Sequence, residues 1–338
     1  MASPALVEDA ALHPRNTYEY RQNEVAEQAF MDAYGRGRLH HAWLLCGPQG
    51  LGKATFAYRA AKFLMGKVRD PSLGLMGVSP QDPDAKLIAA QSHPDMLAIE
   101  REANDSGKLK KNISVEAIRE VGTFFSKAPS RSPYRVAIID SVDDLNINSA
   151  NALLKILEEP PERGILFLVS HSPGKLLATI RSRCRRLTFA PWQDEAVRAF
   201  IEPDVDVRGD DLARLISMAK GSPGRALKLW QDKALDMDDL AGRILSSSPP
   251  PRAELIRYAT EFKTSSARSD GAKKFSLFMD MLCEQVRERA LSSHPYGRAK
   301  QWADLWARLS TVTAETEAVN LDRGEYFWAL CRDIREIA

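Results

Sequence analysis

The stretch Gly47-Pro48-Gln49-Gly50-Leu51-Gly52-Lys53 completes the phosphate-loop pattern G-x-x-x-x-G-K. Backbone amides of such a loop, at the start of a helix, turn partial positive charge onto phosphate oxygens. Lys53 is the residue that would reach the terminal phosphates. The next position ordinarily carries a Ser or Thr hydroxyl that holds magnesium, and here it is Ala54, followed by Thr55. The chemistry on offer is phosphate cradling without the metal hydroxyl. The plain alternative is a tight strand-to-helix turn with a chance lysine.

Ile138-Ile139-Asp140-Ser141-Val142-Asp143 has the form of a Walker B strand, an apolar run ending in a carboxylate that can sit near magnesium. Where hydrolysis occurs, one large class of NTPases places an acid directly after that aspartate to orient the attacking water. Ser141 occupies that position and is no comparable base at neutral pH. Asp143 is a substitute at a less suitable spacing, and a turn-capping role is the alternative for Asp140. Arg181-Ser182-Arg183-Cys184-Arg185-Arg186 sets four arginines in six residues. A guanidinium fork supplied in trans stabilises a transferring phosphoryl group, with an effect of about 10³–10⁵ in rate. A strand edge protected by charge is the other reading.

These residues need a scaffold, and the pattern around them predicts an α/β one. Short apolar runs at 42–46, 96–99, 136–139, 165–169 and 186–189 are separated by helical patterns, as in a buried parallel sheet. Phe56, Ala57, Ala60, Phe63 and Leu64 form one helical stripe after the loop, with Gly66 as its stop. Ala150, Leu153, Leu154 and Leu157 mark another helix, which Pro160-Pro161 must end. Beyond Pro191 the strand signal disappears. Residues 194–201, 210–220 and 222–230 read as short helices, the last with Ser222 as N-cap and Pro223 at the first helical position. Ser246-Ser247-Ser248-Pro249-Pro250-Pro251 is the best linker, and 253–338 reads as all-helical, with Trp302, Leu305, Trp306 and Leu309 as one apolar spacing.

With 338 residues, 44% of them hydrophobic, the chain can bury a sizeable core. A net charge of +2 is too near neutral for whole-surface nucleic-acid binding, so any such contact depends on local patches. Lys108, Lys110, Lys111, Lys127 and Arg131 are the candidates for DNA phosphate, against an ordinary charged loop. Cys46, Cys184, Cys283 and Cys331 have no metal-site spacing and suggest a reduced, cytoplasmic setting. Residues 1–11 carry acids and no long apolar core, so neither a signal peptide nor a membrane span is expected.

Ser182-Arg183-Cys184 resembles the Ser-Arg-Cys motif of AAA+ clamp-loader subunits. The run Asn148 to Pro161, with Leu153-Leu154-Lys155-Ile156-Leu157-Glu158-Glu159-Pro160-Pro161 at its end, is similar to the segment those proteins carry after Walker B. His40-His41-Ala42-Trp43-Leu44-Leu45 likewise looks like their first strand. The match is to the delta-prime family of the bacterial DNA polymerase III clamp loader over residues 10–245; the remainder agrees only in being helical. The resemblance implies an AAA+ P-loop NTPase-type domain at 1–191, a helical lid at 192–248 and a helical collar for oligomerisation at 249–338. It also implies a non-hydrolysing stator within the polymerase holoenzyme, a nucleotidyltransferase complex. Its partners would be gamma/tau and delta subunits, primed DNA inside the complex, and the sliding clamp at most weakly. Arg183 would be the arginine finger for a neighbouring gamma/tau ATP site. Arg225 would stand at sensor 2, and Ser170 or His171 at sensor 1. Nucleotide-site residues would be Gly47, Gly50, Gly52, Lys53, Thr55, Asp140 and Arg225.

Weak ATP or ADP binding stays open and magnesium is doubtful. Zinc is not expected, because 66–95 lacks the four cysteines many family members carry there. An active ATPase motor of the gamma/tau type is the alternative function, and Ala54 and Ser141 argue against it. A P-loop kinase or unrelated NTPase acting on a small molecule is a further rival, opposed by the Ser-Arg-Cys segment and the long helical C-terminal third.

Overall fold

A computed structural model describes residues 13–19, 23–104, 109–263, 271–292, 296–319 and 322–337. Lys108 and the segment 1–11 lie outside the described residues.

The apolar runs form one five-stranded parallel sheet. Its strands are β1 (Ala42–Cys46), β2 (Met96–Glu100), β3 (Arg135–Asp140), β4 (Gly164–Ser170) and β5 (Arg185–Thr188), in the order β2-β3-β4-β1-β5. Every residue of β1 and β4 is buried, which is why both read as unbroken apolar runs and not as alternation. The period of two still sorts the faces. Trp43 and Leu45 pack with Phe30, Phe56 and Phe167 on one side, while Ala42 and Leu44 pack with Ile118, Leu153 and Leu157 on the other.

Helices cover both faces: α1 (Glu24–Gly35), α2 (Lys53–Met65), α3 (Pro83–Ala89), α4 (Val115–Phe125), α5 (Ile147–Glu158) and α6 (Ala178–Ser182); α7 (Asp194–Ile201) follows β5. The α2 stripe buries Phe56, Ala60, Phe63 and Leu64. α5 opens on a capping box between Asn146 and Ser149 and stops just before the proline pair. The parallel sheet with helices on both faces, followed by a helical C-terminal region, is the α/β architecture expected from the sequence.

Two compact units divide the chain: residues 1–200 with 220–225, and residues 201–219 with 226–338. The second unit is helical, with α8 (Gly209–Ala219), α9 (Pro223–Gln231, from Ala226 on), α10 (Ala234–Ile244), α11 (Arg252–Lys263), α12 (Gly271–Ser292), α13 (Tyr296–Val319) and α14 (Arg323–Ile337). Phe262 centres it, with ring centroids 5.2 Å from Phe327, 5.5 Å from Phe275 and 5.7 Å from Phe278. Helix α10 adds to the elements expected from the sequence. Residues 246–251 join α10 to α11 within this unit. No described helix is long and apolar enough to cross a membrane.

Candidate functional site

The loop between β1 and α2 leaves the sheet at the carboxyl ends of the strands, where open α/β sheets place ligands. Three glycines there adopt positive φ: +146° at Gly47, +82° at Gly50 and +79° at Gly52. A side chain at Gly47 would meet the Phe189 carbonyl at 2.5 Å. One at Gly50 would meet Ser222 Oγ at 2.4 Å and the Arg225 amide at 2.6 Å. Backbone conformation and packing therefore both require glycine at these two positions.

Each carbonyl from Gly47 to Leu51 accepts a hydrogen bond from this chain. Lys53 Nζ donates to Gly47 O at 2.6 Å and to Pro48 O at 2.5 Å. Ser222 Oγ donates to Gln49 O at 2.7 Å, the Gly224 amide to Gly50 O at 3.0 Å, and Asn23 Nδ2 to Leu51 O at 3.4 Å. Among the described residues, the amides of Gln49, Gly50 and Leu51 have no protein acceptor. A loop with its carbonyls tied and amides spare is suited to an anion.

Ser222 also caps the helix that begins at Pro223, accepting from the Arg225 amide at 3.3 Å. Arg225 thus has its backbone beside Gly50, and its side chain is exposed. Thr55 is half-buried in the first turn of α2, next to Ala54.

Lys53 is almost fully buried. Burial lowers its pKa from 10.5 to about 8, against the opposing pull of Asp140 and Asp143. Asp140 ends β3 in register with Glu100 of β2. Burial, then the Glu100 charge, raises its pKa from 3.8 to about 6, while Lys53 pulls it down. Asp140 lines a crevice of about 390 Å³ together with Gln49, Glu100, Ser141, Asp143, Asp144 and His171; burial, then the Lys53 charge, lowers the His171 pKa.

Asp143 lines the same crevice and is half-buried, but its carboxylate is not free. Its carboxylate accepts from Ser170 Oγ at 2.9 Å, from the Ser172 amide at 3.1 Å and from the His171 amide, so it closes the end of β4. Ser141 Oγ donates to Asp144 at 3.2 Å.

The structure brings Gly47, Gly50, Gly52, Lys53, Asp140, Ser170, His171 and the Arg225 backbone to one end of the sheet. Arg183 lies at the other end. It is the C-cap of α6 and precedes β5, whose Arg185 is level with Trp43 near the start of β1. The loop leaves β1 after Cys46, and a five-residue strand spans ~13 Å. Arg185 lies over the Trp43 ring, 4.9 Å from its centroid. Of the basic residues considered for DNA, Lys110, Lys111, Lys127 and Arg131 are all exposed; Lys110 also pairs with Glu102 at 2.5 Å and Arg131 with buried Asp84.

Asn23, Ser222 and Gly224, which donate to the loop, and Glu158, which pairs with Arg183, belong to no sequence pattern that marks these contacts. The bonds from Asn23 and Ser222 to the loop close over 28 and 173 residues, separations that local spacing does not encode. Only Ser222 carried a sequence signal, as an N-cap.

A family model described as "DNA polymerase III, delta subunit" matches residues 22–193. The chain is 34% identical over 320 residues to DNA polymerase III subunit delta' of Yersinia pestis, covering 87% of this chain and 91% of that one. It is 33% identical over 196 residues to the delta' subunit of Pseudomonas aeruginosa, covering 58% and 57% respectively. It is 33% identical over 197 residues to subunit tau of Bacillus subtilis, covering 57% and 33%. The chain thus spans little more than half the length of some curated relatives it matches. A solved gamma-subunit-related protein from Thermotoga maritima aligns over 93% of this chain and 99% of its own, at 18% identity and a TM-score of 0.49. With the family model matching half of the chain and a delta' relative aligned over most of it, the chain belongs to the delta-prime family of DNA polymerase III clamp-loader subunits.

Proposed function

We propose that this chain is a non-hydrolysing stator of the clamp loader, helping to load the sliding clamp onto primed DNA, and that Arg183 acts in the ATP site of a neighbouring gamma/tau subunit. The observation that carries this reading is the separation of Arg183 from its own phosphate loop by the length of the sheet. A finger placed there serves phosphate only on another subunit.

Hydrolysis within the chain lacks its parts. Ala54 offers magnesium no oxygen, Ser141 is no base, and the Asp143 oxygens are engaged by the end of β4. The loop itself fits a phosphate: its amides would hold the oxygens and Lys53 would add charge. Lys53 must first leave two carbonyls, so ATP or ADP binds weakly and with little dependence on magnesium. The exposed Arg225 is the sensor-2 candidate, the collar at 249–338 is the oligomerisation element, and 192–248 is the lid. DNA phosphate is met inside the assembled complex, with the exposed Lys110, Lys111 and Lys127 as the candidate lysines.

The test is Arg183→Ala in a loader reconstituted with gamma/tau and delta. The variant assembles normally, and DNA- and clamp-stimulated ATP hydrolysis falls by about 10-fold or more, part of the range for a finger supplied in trans. Undiminished turnover in the mutant complex rejects the reading.

A further inference from the structure

Arg183 is not free on its turn. Its Nη2 lies 2.8 Å from Glu158 Oε1, and its Nη1 donates to the Thr179 carbonyl at 3.1 Å. Glu158 is the last residue of α5 and Arg183 the residue that closes α6, so the pair ties together the ends of two helices. Both side chains remain partly in solvent, 36% exposed for Arg183 and 50% for Glu158. The pair is therefore reachable from outside the chain. A carboxylate and a phosphate are recognised by the same planar fork of donors. An arginine whose fork is held by a carboxylate of its own subunit has to exchange that partner before it can serve a phosphate elsewhere.

We propose that Glu158 is a positioning residue that holds Arg183 against its own subunit and yields it to the phosphate of a neighbouring site. The inference rests on the finger reading of Arg183 given above. Exposed ion pairs contribute at most ~1 kcal/mol, so the latch restrains hydrolysis by no more than about five-fold. A pair this weak can open each time the neighbouring site engages, and a buried pair could not.

The experiment uses the reconstituted complex with saturating magnesium-ATP and compares Glu158→Ala, Glu158→Gln, Arg183→Ala and the double variant Glu158→Ala/Arg183→Ala. Glu158→Ala raises kcat about two- to five-fold with KM for ATP unchanged. Glu158→Gln, which keeps an acceptor oxygen at the same reach but no charge, gives a smaller rise. In the Arg183→Ala background the Glu158 substitution has no effect, because nothing remains for it to release. A helix-end role for Glu158 would instead change both backgrounds alike. If Arg183→Ala slows hydrolysis while Glu158→Ala leaves kcat unchanged or lower, the latch is overturned and the finger stands. If Arg183→Ala costs nothing, the finger falls and the latch with it.

Discussion

Asp140 shows how burial sets the chemistry of a single group. Burial raises its pKa from 3.8 to about 6, so the folded chain holds that proton more tightly than the unfolded chain. The stabilisation is complete below pH 3.8, declines as pH rises toward 6, and is gone above it. At neutral pH the fold therefore carries a half-buried, ionised carboxylate. Asp140→Asn removes that burden and should stabilise the protein by ~1–2 kcal/mol at pH 7.5, with little change at pH 4. Urea denaturation at the two pH values measures it, and an equal gain at both would show that the charge is not the cause. Lys53 would lose a compensating negative neighbour in that variant, so its own pKa would fall further below about 8. Three residues beyond Asp140, Asp143 shares the crevice, and three donors from the end of β4 gather on its carboxylate.

At the scale of elements, the loop is set by packing as much as by pattern. Gly50 and Gly37 both have positive φ, +82° and +63°, but Gly37 faces open space whereas Gly50 lies against Ser222 and Arg225. Gly37→Ala should cost only the left-handed strain, ~1 kcal/mol. Gly50→Ala adds a clash with backbone and should cost ~2–4 kcal/mol. Chemical denaturation of the pair separates strain from packing, and equal losses would mean that residues 220–225 do not constrain the loop. The sheet was legible because strands buried on both faces leave continuous apolar runs, as in Leu44-Leu45 and Leu166-Phe167-Leu168. The glycine loop was legible because positive φ demands the residue type. Helix α10 is poorly announced in the sequence although Ala234, Met237, Leu240, Ala241 and Ile244 carry helical spacing. It starts from Lys233 in a left-handed conformation, with no capping Ser, Asp or Asn to announce it. The partners of the loop, Asn23 and Ser222, were not legible as such because only the folded chain brings them to it.

Across the whole molecule, two compact units hold separate cores. The second depends on Phe262, which is fully buried among Phe275, Phe278 and Phe327. Phe262→Ala should cost that unit ~3–5 kcal/mol, and calorimetry should show its transition moving down while that of the sheet unit stays in place. A single transition that shifts as a whole would instead mean that the two cores melt together. The tied loop carries a consequence for how such a chain changes over generations. Gly47 is held by the nearness of Phe189, Gly50 by that of Ser222 and Arg225, and Lys53 by two carbonyls it closes itself. Selection for a foldable chain is enough to preserve these letters of the motif, whether or not a nucleotide is ever bound. Ala54 closes no bond of the loop, so the fold does not need a hydroxyl at this position. Persistence of the glycines and lysine in descendants of this chain is thus a record of packing, and position 54 is where the history of catalysis would be written.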